Sequence, residues 1–303
     1  MASSKILVIG DLMLDRYLHG DVTRVSQEAP VPIVNMTREE CRAGAAANVA
    51  MNVNALGADV TLVGIVGKDE SSAILRHIID RAGIQSFITQ SDSIVTTQKL
   101  RVIGRNQQIV RVDMEQQYEN DFAQTVIDIG CIEEHNIIVL SDYAKGALSG
   151  IQKIIELAKA LGKTVLVDPK GNSWAKYSKA DVIKPNIHEM RDMVGGWHSE
   201  LELSIKANNL RQDAGIGAIL LTRAADGMTL YANPTALHIH AKARAIYDVT
   251  GAGDTVMAAL AVMLSQGRPL IEAATIANYA AGVVVGKFGT ATVTMKEIEE
   301  AMK

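Results

Sequence analysis

Asp248-Val-Thr-Gly-Ala-Gly-Asp254 runs directly into Thr255-Val-Met-Ala-Ala-Leu-Ala-Val-Met-Leu-Ser-Gln-Gly267, so two glycines and an acid open an apolar helix. Val256, Ala259, Leu260, Met263 and Leu264 recur at helical spacing, which predicts one buried stripe. Gly267 and then Pro269 predict the stop. The amides of Gly251, Ala252 and Gly253 lie at the N-terminal end, where unpaired N–H groups and the positive end of the macrodipole favour an anion. Asp254 is the informative residue. Capping alone explains most acids at helix starts and is worth about 0.5–2 kcal/mol. An acid beside an anion hole suits something else, the deprotonation of a hydroxyl as it attacks a phosphoryl group. The amides would stabilise the migrating charge and the carboxylate would take the proton. The pattern favours a phosphotransferase.

Composition narrows the class. The 303 residues carry 30 basic and 34 acidic side chains for a net charge of −4, with no basic block, so nucleic acid is not an expected partner. Aromatic residues make up only 4%, while Ala, Val, Ile and Leu dominate, as suits helices packed on a mostly parallel sheet. Cys41 and Cys131 form neither a CxxC nor a metal-binding spacing; they read as small apolar fillers in a reducing compartment. The apolar run Ile6 to Ile9 is cut short by Asp11 and Asp15, which argues against a signal peptide or a membrane span and for a cytoplasmic protein.

Lys5-Ile-Leu-Val-Ile-Gly10 reads as a buried strand whose C-terminal end opens onto a crevice, with Asp11 and Asp15 there as turn formers or ligands. Arg16 to Glu40, interrupted by Pro30 and Pro32, and Thr96 to Asp113, turning at Gly104-Arg-Asn-Gln-Gln108, read as β and fit no βαβ crossover. Ala43-Gly-Ala-Ala-Ala-Asn48 starts a small-residue helix ended by Gly57. Apolar strands follow at Val60 to Val66, Ile137 to Leu140, Thr164 to Val167, Asp181 to Ile183 and Ala218 to Leu221. Helical patterns fill Ser71 to Ala82, Phe122 to Glu134, Ile151 to Leu161 and Leu203 to Ala214. Met228 to Tyr231 and Ala236 to Ala241 flank a turn at Asn233-Pro234, and helices from Leu270 to Val285 and Met295 to Met302 close the chain. The expected fold is α/β, a doubly wound, mostly parallel sheet with helices on both faces.

Three strand ends carry polar residues: Ser141-Asp142-Tyr-Ala-Lys-Gly146, Asp168-Pro-Lys170-Gly171 and Lys184-Pro-Asn186-Ile187-His188-Glu189. The spacing of Asn186 and Glu189 suits a capping box as well as a ligand pair. Lys99 to Arg111 packs four cations and three side-chain amides into thirteen residues. Edge-strand charges that block aggregation account for some of them, and a sugar that already carries a phosphate would account for more, because arginine presents a fork matched to phosphate oxygens.

Asp248-Val-Thr-Gly-Ala-Gly-Asp254 resembles the C-terminal motif of the ribokinase-like family of carbohydrate and purine kinases, whose last Asp is the catalytic base. The resemblance implies a single ribokinase-like domain over 1–303. Segments near 16–40 and 96–113 would form a small β-sheet lid that excludes water from the sugar and pairs two copies into a homodimer. It implies that Asp11, Gly44 and Asn48 orient the sugar, with Asp15 and Asp142 as further candidates. Relatives carry a glycine pair where this chain has Gly44 between Ala43 and Ala45. If the replaced glycine had positive φ, alanine would cost on the order of 1 kcal/mol.

The same resemblance implies ATP with magnesium. Asn186 and Glu189 would act on the metal largely through water, as magnesium prefers. Lys184 would reach the nucleotide phosphates, with Ile187 and His188 beside them and His188 more bystander than ligand. Thr222, Arg223 and Gly227 would line the nucleotide and Asn278 would border the adenine. Asp248, Thr250 and the loop from Gly286 to Thr290 resemble a monovalent cation site, as for potassium.

Within the family, the chain is similar along its length to kinases that phosphorylate the anomeric hydroxyl of D-glycero-D-manno-heptose 7-phosphate, a step toward the ADP-heptose of lipopolysaccharide. Gly10 to Tyr17, Ser26 to Pro32, Leu100 to Arg111, Leu140 to Leu148 and Tyr247 to Thr255 carry that similarity. Such kinases are fused in many bacteria to a nucleotidyltransferase; none follows Lys303, so a stand-alone form or an excised kinase half is expected. Arg105 and Asn106, with Lys99 or Lys170, are the expected contacts of the sugar phosphate. A kinase for another phosphosugar would differ around residues 99–111. A non-catalytic sensor would have lost Asp254, Asn186 or Glu189, and all three are present.

Overall fold

Ile6, Leu7, Val8 and Ile9 are all fully buried, yet strand geometry sends alternate side chains to opposite faces. Both faces must therefore be covered. Ile6 and Val8 enter one hydrophobic core and Leu7 and Ile9 a second, on the other side of the same sheet. The computed structural model describes residues 5–105, 107–118, 122–232, 236–241 and 247–303. Asn106 and the expected turn at Asn233-Pro234 lie outside the described residues.

The strands are β1 (Lys5–Gly10), β2 (Leu12–Val25), β3 (Pro32–Ala45), β4 (Asp59–Gly67), β5 (Gln85–Ser91), β6 (Thr97–Gly104), β7 (Gln107–Met114), β8 (Ile137–Ser141), β9 (Thr164–Asp168), β10 (Val182–Ile183), β11 (Ala218–Thr222), β12 (Met228–Tyr231) and β13 (Ala236–Ile239). The helices are α1 (Ala46–Ala55), α2 (Glu70–Arg81), α3 (Phe122–Ile129), α4 (Ile151–Ala160), α5 (Ile187–Val194), α6 (Glu200–Asp213), α7 (Ala252–Ser265), α8 (Leu270–Val284) and α9 (Met295–Met302). The large sheet has the order β13-β12-β11-β10-β9-β8-β1-β4-β5, parallel except for β12 and β13. Helices α1, α2, α7, α8 and α9 contribute to the first core and α3 to α6 to the second. Chain order reverses around β1, and the C-terminal strand ends there frame the crevice in which such sheets bind ligands.

A separate four-stranded sheet has the order β3-β2-β6-β7. β2 continues from β1 through Asp11, pairs antiparallel with β3 from Leu12↔Ala45 to Val25↔Pro32, and runs parallel to β6 from Met13↔Thr97 to Gly20↔Gly104. The base of this sheet thus stands over the end of β1, and its far end projects into solvent.

Three expectations change. The stripe expected on α7 is a fully wrapped helix: every residue from Asp254 to Met263 is buried, because α7 packs against α1, α8 and the sheet at once. Ala258, Ala259 and Ala261 permit that close approach. The expected helix Phe122 to Glu134 stops at Ile129, where Gly130 takes a φ of 69°. β5, Gln85-Ser-Phe-Ile-Thr-Gln-Ser91, went unread because its pattern is polar, as an edge strand with a wet face allows.

Candidate active site

Gly251 caps α7 in the left-handed region, φ 75°, and a Cβ there would stand 2.7 Å from Asn48 Nδ2. Among the described residues no side chain caps this helix; Gly251, Ala252 and Gly253 are half-buried, and the Ala252 amide donates to Val249 O at 3.3 Å. Asp254, third in the helix, is therefore not its cap. Its Oδ2 accepts from Asn48 Nδ2 at 2.8 Å and its Oδ1 from the Tyr143 hydroxyl at 2.9 Å. Burial pushes the Asp254 carboxyl up to about 7; the charge of Asp168 adds to this, while Asn48, Tyr143 and Lys184 oppose it. A carboxyl poised near neutrality suits general base catalysis. Beneath the helix start, Lys184 Nζ lies 3.0 Å from Asp168 Oδ1, and a Cβ on Gly253 would come within 3.2 Å of that ammonium. Burial works against the Lys184 charge, but Asp168, helped by Glu189 and Asp254, raises its pKa overall and the ammonium is retained.

Asn48 enters from α1, whose first turn abuts the base of the small sheet. Ala45, at the N-cap of α1, has φ 52° and ψ −131°. This is the strained backbone that the missing glycine would have relieved. A Cβ on Gly44 would meet Asp15 Oδ2 at 2.7 Å, so glycine is required for close approach there. Asp15 forms a buried ion pair with Arg101, 2.5 Å between Oδ1 and Nη1, and the guanidinium lies 5.0 Å from the centre of the Tyr17 ring.

Two acids expected at the sugar make several hydrogen bonds within the fold. Asp11 accepts from the backbone amides of Tyr143, Lys145 and Ala147 at 2.8, 3.1 and 3.0 Å, which satisfies a buried carboxylate and anchors the loop after β8. Asp142 accepts from Ala144 N, Lys176 Nζ and the Tyr177 hydroxyl at 2.8, 2.8 and 2.6 Å. Lys99 pairs with Asp113 at 3.4 Å. Arg105 is exposed, with φ 51°, at the turn between β6 and β7. It stands four strand residues beyond Arg101, about 13 Å along the sheet, so within one chain it does not join Asp254. The cation that the small sheet buries at its base is Arg101.

On the other side of α7, Asn186 and Glu189 form a capping box: Asn186 Oδ1 accepts from the amides of His188 and Glu189, and Glu189 Oε2 from that of Asn186. Glu189 Oε1 is left for Lys170 Nζ at 3.0 Å. Ile187 packs on the second core and His188 is exposed. Thr222 pairs with Asn186 across a bridge, while Arg223 reaches Glu200 at 2.6 Å and Thr229 at 3.4 Å. Gly227, φ 88°, leaves no room for a side chain beside Ile239 O, and Asn278 donates to His240 O at 2.7 Å. Asp248 accepts from the Thr250 amide and hydroxyl through one oxygen and from Gly289 N through the other, which ties the loop before α7 to the loop after α8.

A model of the pfkB family of carbohydrate kinases matches residues 3–297. The chain belongs to that family. It is 46% identical over 300 residues to the D-beta-D-heptose 7-phosphate kinase of Bordetella bronchiseptica, covering 98% of this chain and 96% of that protein. It is 43% identical to the bifunctional protein HldE of Histophilus somni over 99% of its own length, and spans 64% of that protein. Among solved structures, Arabidopsis thaliana ribokinase complexed with ribose and ATP superposes with a TM-score of 0.79 at 18% identity, covering 100% of this chain and 99% of that one.

In this pfkB-family chain the strand ends and α7 bring together a buried carboxyl raised to about 7, a helix N-terminus without a side-chain cap and a buried lysine. Arg101, Tyr143 and Asp168 were not singled out from the sequence. Arg101 lay among four cations that look alike as letters, and Tyr143 and Asp168 stood within quoted strand-end segments without marks to separate them from their neighbours. Nothing but the fold shows that Tyr143 reaches a residue 111 positions away.

Proposed function

We propose that this chain is an ATP-dependent kinase that phosphorylates the 1-hydroxyl of D-glycero-D-manno-heptose 7-phosphate. The product is the 1,7-bisphosphate, which leads to ADP-heptose and lipopolysaccharide core. The observation that carries the reading is the buried Asp254 carboxyl, held near neutrality at the N-terminus of α7. The heptose phosphate rests on the likeness to the Bordetella kinase over nearly the full length of both chains.

In this mechanism Asp254 accepts the proton of the sugar hydroxyl while its oxygen attacks the γ-phosphorus in line and the bond to ADP breaks. The amides of Gly251 to Gly253 and the Lys184 ammonium stabilise the charge on the transferred group. Asn48 and Gly44 border the sugar, with the Asp15–Arg101 pair over it. Glu189 and Asn186 would hold magnesium through its waters, and the ion would neutralise phosphate charge. Carbonyls of the loop from Gly286 to Thr290, organised by Asp248 and Thr250, suit potassium. Thr222, Gly227 and Asn278 border the nucleotide.

The small sheet acts as the lid and joins two copies. Ile109, Val110, Val112 and Met114 of β7 and Val25, Val31 and Met36 near the far end are exposed, a pattern that suits a partner's sheet. Arg105, on that projecting end, then takes the sugar phosphate only through closure or pairing. One kinase domain spans the chain. Among the described residues no helix is long and apolar enough to cross a membrane, and the free thiols of Cys41 and Cys131 suit the cytoplasm.

ADP release from MgATP across a panel of free sugars and phosphosugars tests the reading. Selective turnover of the heptose phosphate is expected; preference for another sugar would overturn the substrate and keep the kinase.

A further inference from the structure

Tyr143 lies in the loop that follows β8, and both of its neighbours in the chain are tied down. Asp11 holds the amides of Tyr143, Lys145 and Ala147, and Asp142 is fixed by Ala144 N, Lys176 and Tyr177. The phenol therefore projects from a rigid loop. Its hydroxyl donates to Asp254 Oδ1 at 2.9 Å, opposite the Asn48 amide, which donates to Oδ2 at 2.8 Å. The two donors come from different elements and grip different oxygens, so together they fix the rotation of the carboxylate. Each oxygen keeps a second lone pair for an incoming hydroxyl.

On the reading of Asp254 as the base, we propose that Tyr143 is its positioning residue: the phenol orients the carboxylate toward the sugar hydroxyl and stabilises its ionised form. The groups facing Asp254 are Asn48 from α1, Tyr143 from the loop after β8, Asp168 from the end of β9 and Lys184 just after β10. Tyr143, Asn48 and Lys184 favour the carboxylate; burial and Asp168 favour the acid. Burial, and then the charge of Asp254, hold the phenol far above the ordinary tyrosine value, so it stays a donor throughout the working range. The balance of the step is unchanged. The sugar proton passes to Asp254 as the new O–P bond forms and the bond to ADP breaks, and Tyr143 keeps its own proton.

Tyr143→Phe preserves the ring and removes the donor. The test is the pH dependence of kcat for this variant, with Asp254→Asn alongside. The expected result is a kcat lower by about 10-fold, KM for ATP within about 2-fold, and an acid limb moved upward by about one pH unit, because a donor to the ionised form is lost. Site-specific 3-fluorotyrosine at position 143, a stronger donor in an unaltered fold, moves the limb the other way. A limb that stays put in both variants overturns the role of Tyr143 and leaves the base intact. Turnover that survives Asp254→Asn overturns the base reading itself.

Discussion

The side-chain amide of Asn48 donates to Asp254 Oδ2 across 2.8 Å, joining two helix starts that are 206 residues apart in the chain. Asn48 is itself held from behind. Asn52, one turn along α1 and fully buried, donates to Asn48 O at 3.0 Å and to Oδ1 at 3.2 Å, while its own oxygen accepts from Val293 N and Thr255 Oγ1. A ladder of two asparagines thus locks the N-terminal glycine-alanine segment to the C-terminal Gly-Ala-Gly-Asp.

Asn48→Ala removes one of the two donors to Asp254, the proposed base, and leaves a buried carboxylate oxygen without its partner. Turnover is expected to fall by 10-fold or more, on the order of the 1.5–3 kcal/mol that a hydrogen bond to a charged group contributes. Steady-state kinetics with saturating ATP check this. A kcat within twofold of the parent would show that the ladder is structural only.

Asp254 should also cost stability. Its folded value, about 7, lies above the ordinary 3.8, so the folded state holds the proton more tightly than the unfolded chain does. The sign follows: the group's stabilising contribution is greatest below pH 3.8 and is lost as pH rises from there through about 7. The gap corresponds to roughly 4 kcal/mol as an upper bound. Asp254→Asn escapes the ionisation, and the rotatable Tyr143 hydroxyl can accept from the new amide. Urea unfolding should show the inactive variant to be more stable than the parent at pH 8, with the advantage shrinking toward pH 5. A variant that is less stable at pH 8 contradicts the buried charge.

Ala45 carries a backbone strain that glycine would release. Positions like its φ 52°, ψ −131° cost a side-chain-bearing residue about 1–3 kcal/mol, part of which the entropy of glycine returns. Ala45→Gly is therefore expected to stabilise the chain by about 1 kcal/mol and raise the melting temperature by about 2 °C. Differential scanning calorimetry decides it; a lower melting temperature would mean that the alanine methyl packs better than the strain costs.

The Asp15–Arg101 pair is nearly sealed from water, so losing one partner strands the other. Arg101→Met should destabilise by about 3–5 kcal/mol, and adding Asp15→Asn should recover much of that loss. Additive losses in the double variant would contradict a coupled pair.

Much of this was legible in the chain. The strands of the large sheet's centre are continuous apolar runs bounded by Gly, Asp and Lys, and Met295–Met302 matches its expected bounds to the residue. Edge strand β5 was not, because a strand with one wet face loses the apolar signal. The site divided in the same way. Asp254, Asn48 and Lys184 sit in segments whose composition sets them apart, and the fold brings them together. Asp11 and Asp142 follow strands as expected of ligands, and their bonds to backbone amides, Lys176 and Tyr177 are long-range or loop contacts that no local pattern announces. Arg101 and Arg105 are four residues apart on one strand and turn; only the pairing of β6 with β2 buries the first and exposes the second.

The most direct test is the identity of the product. Phosphorus NMR of a reaction containing MgATP and D-glycero-D-manno-heptose 7-phosphate should show a new phosphate resonance coupled to the anomeric proton, with the 7-phosphate signal retained and no product from Asp254→Asn. A new phosphate on any other carbon, or an undiminished signal with Asp254→Asn, would contradict the account.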